Sequence, residues 1–259
     1  MDGARARRVV REDVLIRLIV TGRNTRPFLE RHTKELLEQR GAWRCTWIDD
    51  ASDDGSADVA EAMSRGDPRV TVVRREHRRG PLANVIQAVG ATPPEDVVVL
   101  WDGDDFFAHD RVLERIAYEF AKPDVWMTYG SFETVDGRTM YRGEYPCEVV
   151  DDGTYRSAAW LCGPPRAFRA WLFQALPVGC LLDDDGEPWR TATDQATCLA
   201  LLELAREHAR YIDDVLYIYN DHNPQSDHHV RLREQSEACW RVRRRPRLQA
   251  LESAPWFGR

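Results

Sequence analysis

The sequence predicts an α/β fold in which a mainly parallel sheet is covered by helices on both faces. The first half of the chain alternates short apolar runs, typical of buried strands, with longer segments whose apolar residues recur at helical spacing. Strand–helix–strand alternation requires crossover connections, and these build parallel sheets with helices on either side. The length of 259 residues suits one such domain. The expected architecture is a single domain of three layers, α/β/α, around a mixed, mainly parallel sheet.

Five strands are predicted in the first half, each a short run rich in Val, Ile, Leu or Trp. They cover residues 14–20, 43–48, 69–73, 96–101 and 124–129. Helical segments separate them, and several end in glycine, as helices often do. These segments are "RPFLERHTKELLEQRG", "SADVAEAMSRG", "PLANVIQAVGA" and "HDRVLERIAYEFAK". Pro27 suits the first turn of the first helix.

After residue 130 the pattern changes. "TVDGRTMY" predicts a hairpin with an Asp-Gly turn, and "PPRAFRAWLFQAL" (164–176) predicts a helix that starts at two prolines. A helix over 194–208, a strand over 211–219 and a helical tail that ends before Pro246 follow. No internal repeat or low-complexity linker divides the chain.

Composition excludes several classes of protein. The net charge of −7 argues against nucleic acid as the main partner, since phosphate backbones require a basic surface. Six scattered cysteines without a CxxC pair indicate neither a zinc cluster nor a small disulfide-rich fold, so we expect a cytoplasmic protein. The sequence has no apolar run long enough for a signal peptide or a membrane span.

An acidic turn follows the fourth predicted strand. In "VVVLWDGDDFF" the carboxylates of Asp102, Asp104 and Asp105 fall within four positions, where their charges repel. Parallel sheets bind ligands beyond the carboxyl ends of their strands, and a divalent cation at this end would offset the repulsion. Hard oxygen ligands of this kind suit Mg²⁺ or Mn²⁺.

A second acidic turn has two interpretations. "WIDDASDDGSADVAE" offers carboxylates at nearly the spacing of a calcium-binding EF-hand loop. However, "WRCTWI" before it is typical of a strand, whereas an EF-hand loop follows a helix. Turn-shaping and capping of the next helix by Asp53 or Asp54 and Ser56 is the simpler interpretation.

Five motifs occur in a fixed order along the chain, namely "WIDDASDDGS", "RRGPLANVIQAVGA", "LWDGDDFF", "TATDQATCLALL" and "YIYNDHNPQS". They resemble the motifs of family 2 glycosyltransferases of the GT-A fold, the nucleotide-diphospho-sugar transferase fold. "WIDDASDDGS" is similar to the family's DD-x-S-x-DGS turn, and "RRGPLANVIQAVGA" to its Gly followed by an A-x-N helix. "LWDGDDFF" matches D-x-D-D, "TATDQATCLALL" resembles the acidic motif of the acceptor-side helix, and "YIYNDHNPQS" resembles the closing Y-R-x-H-x-x-S pattern. Together with the first predicted strand, the motifs span residues 14–226.

The resemblance implies an enzyme that moves a sugar from a nucleotide-diphospho-sugar, UDP-linked by expectation, to an acceptor hydroxyl with inversion. It implies a nucleotide-sugar-binding half at about 1–130, an acceptor-binding half at about 131–226 and a helical tail at about 227–259. The acceptor would be a glycan, a lipid-linked sugar or a small molecule. A Mn²⁺ or Mg²⁺ ion would stabilise the charge that develops on the leaving diphosphate.

The same resemblance implies roles for single residues. Asp104 would contact the metal, Asp102 the ribose or the metal, and His222 would return from the C-terminal region as a further metal ligand. The predicted substrate-binding residues at the other strand ends are Thr21, Asn24, Asp49 and Arg79. Asp49 would accept a hydrogen bond from the uracil N3–H. The other three would line the base pocket or lie beside the diphosphate. Asp194 would be the general base that removes the acceptor's proton.

Two other functions stay open from the residues themselves. "TGRNTRPF" faintly resembles the phosphate loop of sugar-phosphate nucleotidyltransferases, although Gly22 is its only glycine. A non-catalytic metal-binding module is the second alternative. The arginine-rich tail "RVRRRPR" is a solvated helix end in the simplest interpretation, and a contact with an anionic membrane surface or with another subunit of a homo-oligomer in the alternative ones.

Overall fold

The computed structural model describes residues 14–140, 142–226 and 230–255, and over these residues it confirms the predicted α/β class. Nine strands are described: β1 (Ile16–Gly22), β2 (Trp43–Asp49), β3 (Val70–Arg74), β4 (Val97–Asp102), β5 (Phe106–Phe107), β6 (Met127–Thr134), β7 (Thr139–Met140), β8 (Gly163–Arg169) and β9 (Ala209–Tyr219). Eight α-helices are described: α1 (Arg26–Leu37), α2 (Ser56–Ser64), α3 (Pro81–Gly90), α4 (Val112–Phe120), α5 (Cys147–Asp152), α6 (Ala170–Gln174), α7 (Thr193–Ala205) and α8 (Leu232–Arg243).

The strands form one mixed sheet in the order β3-β2-β1-β4-β8-β6-β9-β5, with β7 paired to β6. Strands β1 to β4 run parallel, and so do β6 and β9, whereas β8 runs antiparallel between β4 and β6. The register places Gly22 opposite Asp49 and Thr21 opposite Asp102. The carboxyl ends of β1, β2 and β4 therefore meet at one edge of the sheet, where parallel sheets bind ligands.

Alternate residues of β1 point into two separate cores. Ile19 packs in a core with the apolar faces of α3, α6 and α7. Leu18 and Val20 pack in the other core, with α1 and α4. Because each face of the sheet carries its own helices, the molecule has the three layers that the sequence predicts.

One predicted element is wrong. The helix expected over 164–176 is strand β8 for its first part, and only Ala170–Gln174 is helical. Ala167 and Phe168 are fully buried on opposite faces of the sheet, between β4 and β6. A strand buried on both faces has continuous apolar residues, which resemble a helical pattern in sequence. The Asp-Gly hairpin is confirmed, since β6 pairs with β7 across this turn.

The second acidic turn is preceded by strand β2, so the EF-hand alternative is wrong for this turn. Asp54 accepts hydrogen bonds from the backbone and hydroxyl of Ser56 at 2.9 and 2.5 Å, and Glu61 pairs with Arg74 at 2.7 Å. The turn is therefore held by its own carboxylates. Across the described part of the chain, no helix is both long and apolar enough to cross a membrane.

Candidate active site

The acidic turn after β4 lies against the end of β1. The backbone N–H of Gly103 donates to the carbonyl of Thr21 at 3.0 Å, and a side chain at Gly103 would meet the Gly22 Cα at 3.3 Å. This close approach of two backbones requires a glycine between the aspartates. It directs Asp102 and Asp104 into the cavity beyond the sheet edge, which both of them line.

Asp105 joins the acidic turn to β9. Its carboxylate accepts hydrogen bonds from the Tyr217 hydroxyl at 2.5 Å and from the Asn220 N–H at 2.7 Å. Only 1% of the residue is exposed. Burial, together with the charges of Asp104 and Asp102, raises the pKa of Asp105 well above its usual value. Asp105 is thus a structural member of the acidic turn.

The surrounding protein disfavours the charged forms of Asp102 and Asp104. Desolvation by the protein and the neighbouring charge of Asp104 raise the pKa of Asp102 to about 6, although the residue is exposed where it lines the cavity. Burial also raises the pKa of Asp104, against the hydrogen bond that its Oδ2 accepts from Asn223 at 2.6 Å. Two oxygen donors in this electrostatic state fit a Mg²⁺ or Mn²⁺ ion, which protein sites hold with one or two carboxylates plus substrate phosphates.

His222 lies apart from these two carboxylates. It is 58% exposed, and its Nε2 is 3.1 Å from Oδ2 of Asp136. Among the described residues, one group of three or more potential ligands has its atoms within 4.8 Å of one another, namely Asp136, Asp221 and His222. The structure therefore does not bring His222 together with Asp104. Two further histidines of this segment, His228 and His229, fall outside the described residues.

The two aspartates at the end of β2 have different surroundings. Asp49 is 3% exposed, and its Oδ2 accepts from the Ser52 N–H at 3.0 Å, whereas its Oδ1 is buried without a hydrogen bond. Asp50 lines the cavity and accepts from Arg79 N–H, Gly80 N–H and the Asn84 amide, at 2.8–2.9 Å. The A-x-N motif thus provides Asn84 to hold Asp50, which in turn fixes the chain before α3.

Of the remaining predicted donor residues, Thr21 lines the cavity, but Asn24 and Arg79 do not. The Asn24 side chain accepts from the Asp53 N–H at 3.1 Å and so joins the loops that follow β1 and β2. The Arg79 guanidinium donates to Gln87 at 2.9 Å. Arg78, the residue before it, is the one whose side chain faces the cavity.

Asp194 lines the same cavity as the acidic turn and lies in the first turn of α7. Its Oδ1 accepts from the Gln195 N–H at 2.8 Å, and its Oδ2 lies 3.3 Å from the Arg166 guanidinium. The residue at the N-cap position is Ala192, so Asp194 is not the capping residue. A helix N-terminus and an arginine both favour the negative charge that a general base needs.

Arg166 connects the two acidic groups. It projects from β8, which is paired to β4, and its main chain is opposite Leu100. The charges of Asp194 and Asp102 both act on it and raise its pKa against the effect of burial. One cavity of about 830 Å³ therefore contains the end of β4, Arg166 and Asp194.

Sequence reasoning missed the residues that hold these groups in place. Tyr217, Asn220 and Asn223 lie within or just after the predicted last strand, in the quoted motif "YIYNDHNPQS". Their hydrogen bonds to the acidic turn cross more than 110 residues. The clustering of polar side chains at a strand end was the available signal.

Comparisons with known proteins find similar sequences and similar folds. A sequence model described as Glycosyl transferase family 2 matches residues 18–169, more than half of the chain. The succinoglycan biosynthesis protein ExoU of Rhizobium meliloti (strain 1021) is 36% identical over 102 residues, which are 39% of this chain and 30% of ExoU. The chain thus spans about a third of the length of that relative.

Two solved structures have a similar fold at low sequence identity. TarS 1–349 of S. aureus in complex with UDP has a TM-score of 0.59 at 16% identity, covering 80% of this chain and 60% of that one. Glucosyl-3-phosphoglycerate synthase of Mycobacterium tuberculosis, in complex with Mn²⁺, UDP and glucosyl-3-phosphoglycerate, has a TM-score of 0.61 at 15% identity and covers 89% and 80%. These likenesses establish the GT-A fold.

Proposed function

Since the chain belongs to glycosyl transferase family 2, and is therefore a glycosyltransferase, we propose that it moves a sugar from a UDP-sugar to an acceptor hydroxyl with inversion. The observation that carries the proposal is the single cavity that Asp102, Asp104 and Asp194 all line. A donor at the sheet edge and an acceptor beside Asp194 would face each other across it. Relatives of this fold that bind UDP support the choice of nucleotide.

The donor would occupy the carboxyl ends of β1, β2 and β4. Asp49 has a buried oxygen without a partner, which suits the imide N–H of uracil, and Thr21 lies beside the nucleoside. Asp102 and Asp104 would hold a Mn²⁺ or Mg²⁺ ion, with Asp102 also within reach of the ribose. When bound, that ion stabilises the negative charge of the departing diphosphate. We assign Arg78 to the diphosphate as well, because its side chain faces the cavity.

The acceptor hydroxyl would lie against Asp194. A carboxylate there removes the proton while the oxygen attacks the anomeric carbon from the side opposite the leaving group, and this geometry gives inversion. Arg166 positions Asp194 through the 3.3 Å contact. Tyr217 and Asn220 keep the donor end of the cavity fixed through Asp105.

The alternative as a sugar-phosphate nucleotidyltransferase has no observation in its favour, whereas family membership favours glycosyl transfer. Incubation with Mn²⁺ and either UDP-sugars or a sugar phosphate plus UTP separates the possibilities. Release of UDP from a UDP-sugar is the expected result. Release of pyrophosphate would show nucleotidyl transfer, and the release of neither product would favour a non-catalytic module.

The metal assignment is tested by calorimetry with UDP. We expect UDP binding to be lost on addition of EDTA and restored by Mn²⁺ in the wild type. Asp104→Asn should abolish the metal-dependent part, because it removes a charged ligand without changing size. Asp136→Asn is the matched control from the separate group near His222. Full UDP affinity in Asp104→Asn would refute the assignment.

A further inference from the structure

The wall of the cavity around Asp194 is rich in guanidinium groups. Three arginines line the cavity together with Asp194, namely Arg142, Arg166 and Arg190. The Arg166 guanidinium forms an ion pair with the Asp194 carboxylate. Arg142 and Arg190 form no ion pair with any other residue that the structure describes.

Arg142 is held in position without a polar partner for its guanidinium. Its backbone N–H donates to the Ser131 hydroxyl at 2.9 Å. Its aliphatic stem crosses Gly163 so closely that a Cβ there would lie 2.8 Å from the Arg142 Cγ. Its guanidinium carbon is 5.1 Å from the centre of the Phe132 ring, and its Nε is buried without a hydrogen bond.

This arrangement disfavours the charge on Arg142. Burial and the nearby charge of Arg166 both lower the pKa of Arg142, and Asp194 offsets them only in part. A buried polar N–H without a partner is costly. An anionic ligand that accepts a hydrogen bond from Arg142 would stabilise the charge of its guanidinium and give its N–H a partner.

We propose that the acceptor carries an oxyanion, a phosphate or a carboxylate, that binds Arg142 and Arg190 while its hydroxyl lies against Asp194. The inference rests on the proposed function and specifies its acceptor. A guanidinium presents two parallel N–H donors that match either oxyanion. The donor's diphosphate is assigned to other residues of the cavity wall, namely Asp102, Asp104 and Arg78.

The test uses inorganic sulfate as a phosphate mimic and acetate as a carboxylate mimic. The protein is first saturated with UDP and Mg²⁺, so that the donor end is occupied, and each anion is titrated by calorimetry at constant ionic strength. We expect saturable binding of at least one anion. Tighter binding of sulfate would assign a phosphorylated acceptor, and tighter binding of acetate a carboxylated one.

Arg142→Gln and Arg190→Gln should each weaken anion binding by about tenfold or more, while UDP affinity stays unchanged. Arg44→Gln, at an exposed position of β2 outside the cavity, is the control and should bind the anion as the wild type does. Absence of saturable binding in a protein that binds UDP would overturn the acceptor proposal and leave the proposed function intact. Loss of UDP affinity in the two variants would also overturn it, since the arginines would then serve the donor. A wild type that binds no UDP would instead refute the proposed function.

Discussion

At the scale of single residues, the donor end of the cavity is built from side chains that fix one another. Asp50 accepts three hydrogen bonds from the segment that leads into α3 and from Asn84. Asn84 in turn accepts from Arg75 at 2.9 Å. Since Asp50 holds the backbone of Arg79, the adjacent Arg78 is presented to the cavity.

The arginine pair at 78 and 79 gives a direct comparison. Arg78→Gln should weaken metal-dependent UDP binding by about tenfold, because it removes a charge-assisted hydrogen bond to phosphate. Arg79→Gln should leave the UDP affinity unchanged, since that guanidinium binds Gln87. Calorimetry with UDP and Mn²⁺ measures both. The reverse order of effects would reassign the diphosphate contact to Arg79, as the sequence first suggested.

His222 as a metal ligand remains a prediction, and it requires the turn after β9 to bring this side chain from Asp136 toward Asp104. On that prediction, His222→Ala weakens Mn²⁺-dependent UDP binding and leaves metal-free stability unchanged, as is usual for an exposed residue. His109→Ala, at an exposed position outside the cavity, is the control. Equal UDP affinity in wild type and His222→Ala would remove His222 from the ligand set.

At the scale of elements, strand β9 and helix α1 both donate hydrogen bonds to the acidic turn. Tyr217 of β9 donates to the Asp105 carboxylate. His32 of α1 is fully buried, and its Nδ1–H donates to the Asp105 carbonyl at 2.9 Å. The turn is therefore fixed by two elements that lie far from it in sequence.

Tyr217→Phe tests the contribution of β9. It leaves the buried Asp105 with one partner fewer, which should lower the free energy of unfolding by about 1–3 kcal/mol. Tyr155→Phe is the matched control, because the Tyr155 hydroxyl is buried without a hydrogen bond and its removal should cost little. Urea denaturation measures both variants. Equal losses would show that the Asp105 contact adds nothing beyond the packing of a buried ring.

His32 gives the fold a specific sensitivity to acid. Burial lowers the pKa of His32 to about 4, below the value of about 6.5 in the unfolded chain. Between these values the unfolded chain binds a proton that the folded chain does not, so stability falls as the pH drops from about 6.5 to about 4. The total loss from this group is roughly 3 kcal/mol.

The variant His32→Asn keeps an N–H donor near the position of Nδ1 and cannot titrate. We expect the wild type to lose roughly 2–3 kcal/mol more than this variant between pH 7 and pH 4.5, measured by urea denaturation at both values. Parallel pH profiles of the two proteins would show that another group controls the acid sensitivity.

The elements also show what could be predicted from sequence. Strands β1 to β4 and β6 were predicted to within a few residues, because a parallel sheet produces apolar runs bounded by turns. Strand β8 was not, since its burial between β4 and β6 depends on how the chain returns after residue 130. The path of the chain after residue 130 also brings Arg142 and Asn223 to the cavity. Local sequence patterns do not indicate this path.

At the scale of the whole molecule, the two halves of the sheet are assigned to different substrates. The parallel half ends at Thr21, Asp49 and Asp102, the side assigned to the donor. The half around β8 and β6 carries Arg166 and faces α7, the side assigned to the acceptor. Asp194 is the residue on which the mechanism depends, because it alone is assigned to proton removal.

The most direct test is the rate of UDP release from a UDP-sugar with Mn²⁺ by wild type and Asp194→Asn, once the sugar and acceptor have been identified by screening. Asn preserves the size of the side chain and keeps an oxygen that can accept from the Gln195 N–H. The fold and the UDP affinity should be retained, although the loss of the Arg166 ion pair should lower the stability. Transfer should fall by roughly 10²–10⁴-fold, the usual contribution of a positioned base. A variant that retains more than about a tenth of the wild-type rate, with normal UDP binding, would contradict the assignment of Asp194 as the general base.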